Sequence, residues 1–199
     1  EREQLMASGW TAPAGKPIEQ AILHARYSDI AIVGQPLPED AHAAFGSDLM
    51  HAMLMSAGRP VLIVPHFGDF PTIGQTVLIA WKETRESARA IGDALPFLKR
   101  ARNVIVMSIL APGEEAARGT QADIGIGEFL ARHDIDCKVR HEVAEDIDVG
   151  NLLLSRAADL SADLIVMGAY SRTRLSEIVL GGVTRLMLQS MTVPVLMSH

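Results

Sequence analysis

Cysteine is almost missing from this chain: Cys137 is the only one in 199 residues. No disulfide can form within it, which fits a reducing cytoplasm, and Cys137 reads as a small apolar filler of a strand. Long apolar runs are missing too. None reaches the roughly 18–20 residues that a membrane-spanning helix needs, and no secretory signal opens the chain. Positive charge is in short supply, with 18 Lys and Arg against 24 Asp and Glu. The net charge of −6 argues against a general nucleic-acid binder. The seven histidines (His24, His42, His51, His66, His133, His141 and His199) lie mostly in separate elements without metal-ligand spacing. No Gly-x-Ser-x-Gly elbow appears. Glu145, Asp146 and Asp148 read as the acidic start of a helix rather than as catalytic carboxylates. With 48% hydrophobic and 21% charged residues the chain is globular, long enough for one large domain or one and a half small ones.

What is there is a glycine-bounded loop near the C-terminus. Residues 168–182 read GAYSRTRLSEIVLGG, entered from the apolar run Leu164-Ile165-Val166-Met167 and left through a helical pattern from Val183 to Met191. A strand ending in glycine, a basic loop and a glycine pair opening a helix together make an anion pocket. Backbone N–H groups at a helix start lack intrahelical partners, the helix dipole adds positive potential, and glycine lets a phosphate come close. Gly168, Gly181 and Gly182 are the strongest candidates, because backbone contact does not depend on a side chain. Arg172, Arg174 and Arg185 lie in or beside the loop, as phosphate clamps or as ordinary loop arginines.

The chain also repeats itself. An offset of 134 residues carries SDIAIVG, ending at Gly34, onto ADLIVMG, ending at Gly168. The same offset carries Met53-Leu54 onto Met187-Leu188, Ser56 onto Ser190 and Pro60-Val61-Leu62 onto Pro194-Val195-Leu196. This predicts two copies of one unit. The second copy alternates strand and helix: strands at 77–81, 104–109, 137–141, 164–167 and 193–197, and helices at 87–98, 122–133, 148–160 and 184–190. That alternation predicts a parallel sheet with helices on both faces. Asp146 or Asp148 is the expected cap of the third helix. The first copy is incomplete. It shows a strand near Trp10, helices at 17–27 and 49–55, and strands at 30–33 and 61–64. Its first strand–helix pair is absent, and Glu1-Arg2-Glu3 is not an initiator sequence; both predict the remainder of a longer protein. The expected division is residues 1–66 as the later part of a first, degenerate copy, 67–74 as linker and 75–199 as a complete copy.

Residues 75–199 resemble the universal stress protein family, and the whole chain resembles a tandem member with a shortened first domain. Nucleotide-binding members carry glycine, two residues, glycine, nine residues, glycine, then serine or threonine. Gly168 and Gly181 fit the first and third glycines, Ser171 replaces the second, and Gly182 replaces the hydroxyl residue. The resemblance implies a five-stranded parallel α/β domain, Rossmann-like and doubly wound, with strand order 3-2-1-4-5. It implies ATP or another adenine nucleotide, with or without Mg, at the strand ends, and pairing of domains through their last strands, here 61–64 and 193–197, with a homodimer expected. The implied nucleotide-binding set is Trp81, Lys82, Gly168, Ser171, Arg172, Gly181, Gly182, Val183 and Thr184. Lys82 stands where the family has an aspartate acceptor; lysine only donates, toward a phosphate or merely to solvent. Thr184 either replaces the lost hydroxyl or caps its own helix. In the first copy Leu37 stands in place of the second glycine, and Glu39, Asp40 and Asp48 would repel a polyanion; that half is expected not to bind nucleotide. The implied role is an ATP-binding cytoplasmic stress-response sensor or regulator, hydrolysing at most slowly for want of a general base. The alternatives are an interaction scaffold with a vestigial pocket and, ranked last, an adenylyl- or phosphoryl-transfer enzyme. No nucleic-acid or membrane partner is expected.

Overall fold

The computed structural model of the chain describes residues 15–37, 39–110, 121–170 and 182–199. In chain order the elements are α1 (Pro17–Ala25), β1 (Ala31–Gly34), α2 (Ala43–Ser56), β2 (Val61–Val64), β3 (Thr76–Ala80), α3 (Arg85–Leu98) and β4 (Asn103–Leu110). There follow α4 (Gln121–Ala131), β5 (Lys138–Val143), α5 (Val149–Asp159), β6 (Leu164–Gly168), α6 (Gly182–Ser190) and β7 (Val195–Ser198). The expected strand near Trp10 lies outside the described residues.

The central strands are apolar on both faces because both are covered. Successive side chains of a strand point to opposite faces. Leu78 accordingly belongs to one core cluster, with Ile105, Met107, Ile165, Met167 and the inner sides of α1, α2, α5 and α6. Val77 and Ile79 belong to the other, with Val106, Val166, Leu196 and the inner sides of α3 and α4. Each such aliphatic side chain taken out of water contributes about 1.5–3 kcal/mol. The strands form one seven-stranded sheet in the order β1-β2-β7-β6-β3-β4-β5. All its pairings are parallel except that of β2 with β7. There Leu62 lies opposite Leu196, with Val61 opposite Met197 and Ile63 opposite Val195.

Several elements run further than apolar periodicity indicates, each for a local reason. α2 starts at Ala43, not near Leu49, because an aspartate turn begins it: Asp40 Oδ1 accepts from the His42 N–H and Asp40 O from the Ala43 N–H. α3 starts at Arg85 because Thr84 Oγ1 accepts from the Ser87 N–H. β5 reaches Val143 because its backbone pairs with β4 as far as Leu110, whatever its side chains are. Asp148 caps α5, accepting from the N–H groups of Gly150 and Asn151.

The stretch between β2 and β3 is fastened by Asp163. Its carboxylate accepts from Thr72 Oγ1 and from the N–H groups of Gly74, Gln75 and Thr76, all at 2.9–3.1 Å. Burial pushes this carboxyl up, but the four donors outweigh it and hold it below the usual aspartate range. The segment after β1 is also clipped to the end of α6 by Gln35, a buried residue. Its Nε2 donates to the carbonyls of Leu188 and Gln189, and its Oε1 accepts from the N–H and Nδ1–H of His66.

Candidate functional site

In an open α/β sheet a ligand site lies beyond the carboxyl ends of the strands where their order reverses. β3 and β6 are parallel neighbours, with Ala80 opposite Met167; one residue further along come Trp81 and Gly168. The chain leaves β3 toward α3 and leaves β6 toward α6, so the first turns of both helices border this point. α6 opens at Gly182, and the N–H groups of Gly182, Val183 and Thr184 form its first turn. Ser171, Arg172, Arg174 and Gly181 lie outside the described residues.

The described members of the expected set have distinct surroundings. Gly168 is required by packing: a Cβ there would stand 2.7 Å from the Glu86 carbonyl carbon and the Ser87 nitrogen, both backbone atoms of α3. Close approach of α3 to β6 is therefore sufficient reason for a glycine at this position. Gly182 differs, because no described atom lies within 4 Å of where its Cβ would be. Val183 is half-buried and packs against the core of α1, α2, α5 and α6, leaving its backbone as the group it can offer a ligand. Among the described residues, the bond that Thr184 makes runs to the loop entrance rather than to its own helix. Its buried Oγ1 accepts from the Tyr170 N–H at 3.2 Å, tying the start of the loop to the helix that ends it. Lys82 is exposed, and its ammonium has no described partner. Trp81 rests against the α3–α4 cluster, and its buried indole N–H lacks an acceptor among the described residues. Glu86 is buried in the first turn of α3, beside Gly168. Burial raises its carboxyl, but the hydrogen bond from Arg85 and lesser donors outweigh that and keep it low, hence ionised.

No sequence pattern signals how the loop entrance is held. Tyr170 has φ +54, in the left-handed region. Its hydroxyl lies 2.8 Å from His51 Nδ1 on α2, with the rings edge-on at 5.0 Å. Burial pushes the phenol up to about 12. His199 Nδ1 meets the neighbouring Ala169 carbonyl at 3.0 Å. A concavity of about 600 Å³ lies between α2 and α6, lined by Gln35, Met50, Leu188, His51, Asp48 and Arg185 among others. Arg185, expected beside the phosphate loop, thus lines this cleft along with Asp48. Among the described residues no group of three or more His, Cys, Asp or Glu is arranged to hold a metal. No described helix is long and apolar enough to cross a membrane.

A family model for the universal stress protein family matches residues 74–199, which takes in β3 to β7 and both sides of the switch point. The chain belongs to the universal stress protein family. Its fold is similar to that of a universal stress protein from Archaeoglobus fulgidus DSM 4304, at TM-score 0.69 and 18% identity over 92% of this chain and 64% of that one. It is also similar to a putative universal stress protein from Pseudomonas aeruginosa UCBPP-PA14, at TM-score 0.60 and 19% identity over 91% of this chain and 66% of that one. A universal stress protein family member from Burkholderia pseudomallei matches at TM-score 0.50 and 18% identity, over 64% of this chain and 98% of its own. The chain thus spans somewhat less than two thirds of the Archaeoglobus relative's length. A search of curated protein sequences gives no match.

Proposed function

We propose that the C-terminal unit binds an adenine nucleotide, ATP foremost, and that the protein acts as a cytoplasmic stress-response sensor or regulator with at most slow hydrolysis. The observation that carries this reading is the position of Gly182. It opens a helix beside the β3–β6 switch point, and no described packing demands a glycine there. Its N–H and those of Val183 and Thr184 suit phosphoryl oxygens, alone or as a Mg complex. Gly168, Trp81 and Lys82 border the same point, and Ser171, Arg172 and Gly181 complete the proposed set. Residues 75–199 form the binding copy. Residues 1–66 belong to its degenerate twin, joined by the linker 67–74; the antiparallel pair Leu62 and Leu196, 134 residues apart, is what two copies meeting at a pseudo-two-fold would give.

Calorimetry with ATP tests this directly, alongside Gly182→Asp. A carboxylate at the first turn suits the helix dipole and meets no described atom within 4 Å at its Cβ, so the variant is expected to keep its fold while repelling phosphate. At ATP concentrations about 100-fold above the dissociation constant the wild type gains about 2.7 kcal/mol of stability, and the variant gains none. Absence of heat and of any thermal shift at millimolar ATP overturns the proposal. Lys82, exposed where the family offers an acceptor, favours a second reading, an interaction scaffold without nucleotide. In that case Gly182→Asp leaves partner affinity unchanged.

A further inference from the structure

Three described residues other than glycine have positive φ: Asp134, Ser161 and Tyr170. Two of them close helices. After Asp134 the N–H of Ile135 returns to the Leu130 carbonyl, and after Ser161 that of Ala162 returns to Ala157, the common ending of a helix in a left-handed residue. Tyr170 closes no helix. The chain is still part of the sheet at Ala169, whose N–H donates to the Ser198 carbonyl of β7. One residue later the Tyr170 N–H turns away to Thr184 Oγ1, in the first turn of α6. A left-handed backbone is disfavoured for a residue as bulky as tyrosine, and such outliers persist where surrounding contacts enforce them.

Three contacts enforce this one. The N–H bond to Thr184 is the first. The hydroxyl meets His51 Nδ1 on α2 at 2.8 Å, and the ring packs against the core shared by α1, α2, α5 and α6. The segment after β1 has no such device. The offset of 134 residues that carries Gly34 onto Gly168 carries Pro36 onto Tyr170 and Met50 onto Thr184. Proline has no N–H and a φ held at about −65°, and methionine offers only a weakly accepting sulfur. The tie between strand end and helix start is therefore made after β6 and excluded after β1, the side that the proposed function leaves without nucleotide.

We infer, resting on the nucleotide reading of α6, that Tyr170 is a positioning residue of that site. Its left-handed turn and its bond to Thr184 set the first turn of α6 against the end of β6, and His51 holds it there from α2. β6 lies inside the sheet, between β7 and β3, so the helix start is tied to the middle of the fold. Backbone donors fixed before a phosphate arrives lose less freedom when it binds, and a misplacement of about 0.5 Å is enough to weaken them. Tyr170 acts through α6 and not on the ligand itself.

Calorimetry with ATP on the 199-residue chain, comparing Tyr170→Asn with Tyr170→Val, is the test. Both variants lose the ring and the hydroxyl and keep the N–H. Asparagine accepts the left-handed region whereas a β-branched side chain resists it, so the pair differs at the backbone. Tyr170→Asn is expected to bind ATP about tenfold more tightly than Tyr170→Val, the left-handed preference read as affinity. His51→Leu leaves Tyr170 in place. It should weaken ATP binding about threefold and speed amide exchange at Gly182, Val183 and Thr184 without nucleotide, and His51→Asn, which restores a polar partner, should reverse both. This second pair decides the matter if Tyr170→Val does not fold. Equal affinities within either pair, with melting temperatures alone lowered, overturn the inference and leave ATP binding standing. A wild type that binds no ATP overturns both.

Discussion

Gly168 and Gly182 stand fourteen positions apart in one motif, and physical circumstances separate them. At Gly168 a methyl group meets backbone of α3, which cannot swing aside like a flexible side chain. Gly168→Ala is expected to cost about 1–3 kcal/mol in urea unfolding, as overpacking does. Gly182→Ala meets no described atom and should stay within about 0.5 kcal/mol of the wild type. Asp163 makes a second residue-scale prediction. Asp163→Asn keeps one acceptor but loses the charge that four donors surround, at a cost of about 1.5–3 kcal/mol at neutral pH. The native carboxyl lies below its unfolded value, so its contribution is full above that value, about pH 4, and fades as pH falls through the native one. The difference between wild type and variant should therefore be constant at pH 6–8 and shrink below about pH 4, read by chemical denaturation at each pH.

At the scale of elements, the parallel strands were legible because burial on two faces writes itself as runs such as Leu164-Ile165-Val166-Met167. The starts of α2 and α3 were not, because they depend on single polar groups, Asp40 and Thr84, and their first turns carry no apolar stripe. β5 exceeds its apolar signal because backbone pairing with β4 holds residues whose side chains are polar. The C-terminus of α6 is completed from outside its own sequence, by Gln35, 153 residues away from Leu188. No local pattern announces such a clip. Gln35→Ala leaves two carbonyls at the end of α6 and the His66 N–H without these partners. It should cost about 1–3 kcal/mol in thermal or urea unfolding, with faster amide exchange in β1 and α6 than elsewhere.

For the molecule as a whole, β2 and β7 meet in an antiparallel joint where Leu62 and Leu196, 134 residues apart, face each other. What the sequence did not reveal is how α2 is joined to the region after β6. Tyr170, at the entrance of the glycine loop, reaches His51 on α2, and the cleft between α2 and α6 is lined from both helices. Tyr170→Phe removes the hydroxyl that His51 meets. It should cost about 0.5–1.5 kcal/mol in stability and leave nucleotide affinity changed by less than tenfold if phosphate is held by the backbone of α6. The central claim is that this backbone is the anion cradle of the C-terminal unit, and amide chemical shifts during an ATP titration report on it most directly. The account predicts that at millimolar ATP the amides of Gly182, Val183 and Thr184 move together and saturate, while those of Gly34 and Gln35 stay in place. Shifts confined to the α2–α6 cleft, or none at all, contradict it.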